Sequence, residues 1–139
     1  MTILDTNVLS EVVKPAPEPK VIEWLAAQIY HDVYLTAVTV GEVLHGLARM
    51  PEGKRRAGLQ AAVDAMFHHE FAGRILPFDE AAAISYAGLV TARERGGRPT
   101  GSFDAQIAAI ARVHSATVAT RNIKDFELCG VMLVNPWGA

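Results

Sequence analysis

Apolar positions along the chain follow two rhythms. Short runs rich in β-branched residues alternate with longer stretches where apolar residues recur at helical spacing. The runs Thr2–Asp5, VYLT (Val33–Thr36), RILPF (Arg74–Phe78), ATVAT (Ala116–Thr120) and VMLV (Val131–Val134) predict strands. Between them, residues 7–13 predict a helix stopped by Pro15 and Pro17. Glu18–Tyr30 predicts a second, with Val21, Leu25 and Ile29 on one face. Ala37–Met50 predicts a third, with Val40, Val43, Leu44 and Leu47 as its apolar stripe and Pro51 past its end. Gly53–Phe71 predicts a fourth. Asp79 is a natural N-cap for a helix to about Arg95, with Glu80 in its first turn. After the Gly- and Arg-rich loop Arg93–Ser102, Ser102 can cap the helix FDAQIAAIARVHS, whose stripe is Phe103, Ile107 and Ile110. Strands alternating with helices imply an α/β fold, a parallel sheet with helices on both faces, in one domain over residues 1–139.

In that frame the opening stretch MTILDTNVLS is unusual. Asp5 ends the first strand amid core-forming residues. A buried carboxylate needs a partner, a proton or a metal. In open parallel sheets, ligands collect at the carboxyl ends of strands near a switch in strand order, and Asp5 belongs on that rim.

Composition narrows the classes. Half of the 139 residues are hydrophobic and 20% are charged, so the chain folds and buries a core. A protein that held a polyanion by bulk electrostatics would be more basic than this chain, whose net charge is −2; a local patch or a bound metal must do it. The single cysteine, Cys129, allows neither an internal disulfide nor a cysteine-based zinc cluster, and suits a reducing cytoplasm. Residues 1–20 lack the long apolar core of a secretory signal, and no apolar run reaches bilayer-spanning length.

Three further acids fall on the rim that Asp5 occupies. Glu42 lies early in the helix after the second strand. Asp104 lies in the first turn of the helix after the glycine loop. Asp125 follows ATVAT by a few residues. Singly, each has a plain reading: Asp5 a helix cap, Glu42 a solvated side chain opposite the apolar stripe, Asp104 a first-turn acid, Asp125 a loop anchor. Together they form an oxygen-only donor set that repels itself unless a hard cation such as Mg²⁺ or Mn²⁺ joins it. The chemistry such an ion serves is phosphoester hydrolysis.

Other candidates are weaker. Adjacent helical residues do not share a face, so His68-His69 is surface or packing. Trp24 and Trp137 read as core or interface anchors. Arg93, Arg95, Arg98, Arg121 and Lys124 are candidates for phosphate contacts.

The segments LDTNVLSE, TAVTVGEVLHGLA, FDAQIAAIARVHSATVATRNIKDF and NPW resemble the PIN-domain family over essentially the whole chain. The resemblance is to its VapC-type toxin ribonucleases, in the branch that includes FitB proteins. It implies a four- to five-stranded parallel sheet in a three-layer α/β/α sandwich, Mg²⁺-dependent RNA cleavage and a cognate antitoxin. It also implies assembly through toxin homodimers and contact with DNA only through the antitoxin. By position, Asp5 and Asp104 match metal ligands and Glu42 the second acid. Thr6, Asn7 and Thr120 match polar residues that shape the site. One position departs: many relatives carry an acid where this chain has Asn122. Either Asn122 keeps a neutral supporting role or Asp125 reaches in, and the missing charge favours one firmly held ion.

The leading expectation is therefore an endoribonuclease in which Asp5, Asp104 and Glu42 gather Mg²⁺ and act on single-stranded or looped RNA. A haloacid-dehalogenase-type phosphohydrolase would want a second Asp two residues after the first, where this chain has Asn7. A catalytically silent partner of a DNA-binding regulator is the other alternative.

Overall fold

A computed structural model of the chain describes residues 1–138. Its elements run β1 (Thr2–Leu4), α1 (Thr6–Val12), α2 (Pro19–Ala26), β2 (Val33–Thr36), α3 (Ala37–Ala48), α4 (Lys54–Ala65), β3 (Ile75–Leu76), α5 (Glu80–Arg95), α6 (Ser102–Val113), β4 (Thr117–Ala119), α7 (Ile123–Phe126) and β5 (Met132–Val134). The strands pair in parallel in the order β3-β2-β1-β4-β5. This is the α/β/α sandwich the alternation predicts.

Register sorts the core. Ile3 lies opposite Tyr34 and Val118, and Leu4 opposite Ala119. Successive strand side chains point to opposite faces. Ile3 and Val118 therefore pack with Leu89, Ile107, Ile110 and Phe126, under α5, α6 and α7. Leu4, Ala119, Val33 and Leu35 pack with Val8, Leu9, Val21, Leu47 and Val63, under α1 to α4. Each fully buried aliphatic side chain is worth about 1.5–3 kcal/mol, so both helical layers are held by many small increments.

From β1 the chain builds outward to β2 and β3, then returns to place β4 on the other side of β1. The switch in strand order lies between β1 and β4. Helices that follow a strand start at its carboxyl end, and a helix that precedes a strand ends at the opposite edge. The starts of α1, α3 and α6 therefore share the rim where β1 and β4 end.

Several boundaries differ from the pattern. The helix from Glu18 stops at Ala26, and a 3₁₀ turn over Tyr30–Asp32 leads into β2. Ile29 is 73% exposed, because the chain turns there toward β2 although the periodicity continues. The Gly53–Phe71 helix begins at Lys54 and ends in a π-turn over Met66–Glu70, closed by Phe71 N donating to Met66 O at 2.9 Å; His68 and His69 are exposed. β3 is two residues long. Leu44 of the α3 stripe is exposed. Asp79 caps α5 as expected, accepting from Ala82 N at 3.0 Å. Ser102 does not cap α6: Gly101 holds that position without a side-chain bond, and Ser102 Oγ accepts from Gln106 Nε2 at 3.3 Å. α6 ends at Val113, where Ser115 turns to positive φ and Ala116 N reaches back to Ala111 O at 2.9 Å. Among the described residues no helix is long and apolar enough to cross a membrane.

Candidate functional site

Asp5 stands at the switch. Its backbone N–H still belongs to the sheet, donating to Ala119 O at 2.9 Å, while its side chain caps α1. Thr6 N donates to Oδ1 at 2.7 Å. Oδ2 accepts from Thr120 Oγ1 at 2.8 Å and from Asn7 Nδ2 at 3.1 Å. The carboxylate is almost wholly buried. Burial pushes its pKa above the ordinary value; the Thr120 and Thr6 hydrogen bonds oppose this, and the charges of Glu42 and Asp125 add to it. The cap reading of Asp5 is thus realised, and the capping side chain also lines a depression at the rim.

Glu42 is half-buried, not freely solvated as its place opposite the stripe suggested. Thr6 Oγ1 donates to Glu42 Oε1 at 2.8 Å. Thr6 Oγ1 also lies 3.0 Å from Thr39 Oγ1. A hydroxyl has one proton, so with Thr6 donating to Glu42, Thr39 donates to Thr6. Thr36 Oγ1 donates in turn to Thr39 Oγ1 at 3.5 Å. A relay of hydroxyls thus runs from the end of β2 to Glu42. Thr36 and Thr39, both buried, escaped the sequence reading. The available signal was Thr36 at a strand end, where it caps α3 by accepting from Thr39 N at 3.2 Å.

Asp104 comes from the first turn of α6. Its side chain has no protein hydrogen-bond partner among the described residues. Burial first, then the charges of Asp5, Asp125 and Glu42, push its pKa up to about 6.

Asp5, Thr6, Asn7, Glu42, Asp104 and Asn122 line one depression of about 410 Å³, together with Lys14, Arg121 and Trp137. Asp125 lines the neighbouring depression with Arg121, Asn122 and Lys124, and acts on Asp5 and Asp104 through its charge. Asn122 N donates to Thr120 Oγ1 at 3.0 Å, and Arg121 N to Asn7 Oδ1 at 3.3 Å, so the segment after β4 is tied to the start of α1. Asn7 is spent on Asp5 and Arg121, and as an amide two residues after Asp5 it cannot serve as a dehalogenase-type acid.

The donor chemistry fits a hard divalent cation: carboxylate and amide oxygens, with Asp104 free of protein partners. Among the described residues no three acidic, imidazole or thiol groups are drawn into a ready-made coordination shell. Like charges crowd here: after burial, which is the larger cause, the neighbouring carboxylates also push Asp5 and Asp104 upward.

The arginines divide. Arg121 borders the acids, its guanidinium 5.0 Å from the centre of the Trp137 ring. Lys14, also on the rim, pairs with Glu11 at 3.0 Å. Arg93 is 4% exposed and donates to Glu127 O, so it is a core residue and cannot meet a phosphate. Arg98 pairs with Glu127 at 2.9 Å.

Comparison with known proteins adds identity to this geometry. Residues 2–128 match the family described as PIN domain. The chain is 44% identical over 137 residues to "VapC ribonuclease Y4jK" of Sinorhizobium fredii, covering 99% of this chain and 98% of that one. It is 42% identical over 137 residues to "Toxin FitB" of Neisseria gonorrhoeae, covering 99% of each. The crystal structure of FitAcB from Neisseria gonorrhoeae superposes with a TM-score of 0.94 at 42% identity, covering 100% of both chains.

Proposed function

The chain belongs to the PIN-domain family, among its VapC and FitB toxins, and on that footing we propose that it is a Mg²⁺-dependent endoribonuclease, the toxin of a toxin–antitoxin pair. One observation carries this reading: Asp5, Glu42 and Asp104, from three distant segments, line a single depression at the switch between β1 and β4. Asp5 and Asp104 are the proposed metal ligands and Glu42 the further catalytic acid, with Mn²⁺ able to substitute for Mg²⁺. When bound, such an ion activates water and stabilises charge growing on a phosphodiester.

The remaining work is done by the chain's own groups. Thr120, Asn7 and the Thr6 N–H hold both Asp5 oxygens in place. Thr6 fixes Glu42. Asp104 keeps an uncommitted carboxylate. Arg121 and Lys14 hold backbone phosphates at the rim, and single-stranded or looped RNA is the form that reaches them. Asn122 takes the neutral supporting role, because its side chain borders the acids while that of Asp125 lies next door.

The antitoxin is proposed to place an apolar segment in the cavity of about 290 Å³ lined by Leu9, Val12, Leu25, Met66 and Phe71, between α1, α2 and the π-turn. DNA is met only through that partner. Homodimer formation is supported by α5, which leaves a run of small and apolar residues, Ala83, Ile84, Ala87 and Gly88, exposed. The free, buried Cys129 suits the cytoplasm as the working compartment.

The test is cleavage of a mixed labelled RNA pool by antitoxin-free protein with Mg²⁺, with EDTA and with Asp5→Asn. Cleavage that needs both the metal and Asp5 is expected. No cleavage and no metal binding by folded protein would leave the silent-partner reading in its place.

A further inference from the structure

Phe103 is the residue that breaks its own pattern. It heads the stripe Phe103, Ile107, Ile110; the two isoleucines are fully buried, yet Phe103 is 56% exposed. The first turn of α6 lies at the sheet's carboxyl rim, so its leading side chain leaves the core while the next turns enter it. Phe103 is the immediate neighbour of Asp104. It lines a depression of about 440 Å³ between α3 and α6 with Val38, Gly41, Glu42, His45 and Gln106. Glu42 lines this depression and the acidic one alike, so the two adjoin.

We propose that this second depression is a nucleobase subsite: Phe103 stacks a base of single-stranded RNA next to the cleaved phosphate, and His45 and Gln106 contact its polar edge. The inference rests on the ribonuclease reading above and names where that substrate's base goes. Aromatic side chains beside a phosphate-handling site are the platform on which unstacked bases are held, and every base has a face to stack. Gly41 adds no side chain to the lining, and a Cβ built there meets nothing within 4 Å, which leaves room for a flat ring. His45 and Gln106 supply hydrogen-bonding groups matched to a base edge. An exposed phenyl ring alone would be unremarkable; its place beside the acids, in a depression with a polar end, is what points to a base.

The experiment measures binding of a short fluorescein-labelled single-stranded RNA of mixed sequence to full-length protein. Asp5→Asn serves as the background that holds cleavage off. Phe103→Ala is expected to weaken binding about tenfold, and Phe103→Trp to restore it. Abasic replacement, walked along the RNA, is expected to weaken binding at one position by a similar factor, and that penalty is expected to vanish in Phe103→Ala. The ring is solvent-facing, so the variant folds; a thermal melt checks this. RNA binding that Phe103→Ala leaves unchanged overturns the subsite alone. If self-association falls in that variant by sedimentation instead, the face is a contact between copies of this chain. A background protein that binds no RNA overturns the subsite and the ribonuclease reading together.

Discussion

Thr120 Oγ1 donates to Asp5 Oδ2 across 2.8 Å, joining the ends of β4 and β1. The same hydroxyl accepts from Asn122 N at 3.0 Å and from Asn7 Nδ2 at 3.4 Å. One buried oxygen thus links two strand ends, the start of α1 and the loop before α7. Thr120→Val keeps the shape and removes all three bonds, leaving a buried carboxylate oxygen and a backbone N–H short of partners. The expected loss is about 1–3 kcal/mol of stability, read from urea unfolding without metal, while Thr120→Ser stays near wild type. Equal stability of the valine variant would mean the hydroxyl is not a tie.

The acids set the pH dependence. The Asp104 carboxyl titrates at about 6 in the folded protein against 3.8 ordinarily. Between those values the folded state holds a proton that the unfolded chain has released, so stability falls as pH climbs from about 4 to about 6 and stays lower above. The raised Asp5 acts in the same direction. Metal-free protein is therefore expected to melt higher at pH 5 than at pH 7. Asp104→Asn should remove most of that difference and add about 1–2 kcal/mol at pH 7, less than the full shift because water reaches a half-buried group. A flat profile in the wild type would contradict the crowding of charge.

Cation binding should oppose this repulsion. Mg²⁺ at ten times its dissociation constant adds about 1.4 kcal/mol to a protein that binds it only when folded. A rise of a few degrees in Tm is expected at pH 7, a smaller one at pH 5, and none in Asp5→Asn. A rise that survives Asp5→Asn would place the ion elsewhere.

Asn122→Asp puts a further carboxylate in the acidic depression. Metal-free stability should drop and Mg²⁺ affinity should rise about tenfold, as one added charge at contact range allows. Calorimetric titration reads both against Asp125→Asn, whose side chain borders the next depression and whose effect should be smaller. Equal effects of the two variants would return Asp125 to the site itself.

Arg93 and Arg121 separate structure from substrate contact. Arg93→Ala empties a buried site and should cost about 2–4 kcal/mol. Arg121→Ala should cost little stability but weaken RNA binding and lower its salt slope by about 1. A change of salt slope in Arg93→Ala with the fold intact would contradict its burial.

Much was legible in the chain. Strand-and-helix alternation is local, so it determined the α/β class, the parallel sheet and the rim on which Asp5, Glu42 and Asp104 sit. The cap at Asp79 was equally local. What the sequence left open depends on what covers what. The same apolar periodicity runs through Ile107, which is buried, and Phe103 and Ile29, which are not, because the stripe does not say where a helix overshoots the sheet or where the chain turns. Arg93 read as a phosphate contact because charge is visible in sequence and burial is not. The hydroxyl relay through Thr36 and Thr39 and the strand order β3-β2-β1-β4-β5 exist only once distant segments meet. The residue types and their spacing were set by the chain; which carboxylate is buried, which is free and how far each repels the next were decided by tertiary packing, since desolvation and Coulomb energy depend on distances through space and not along the sequence.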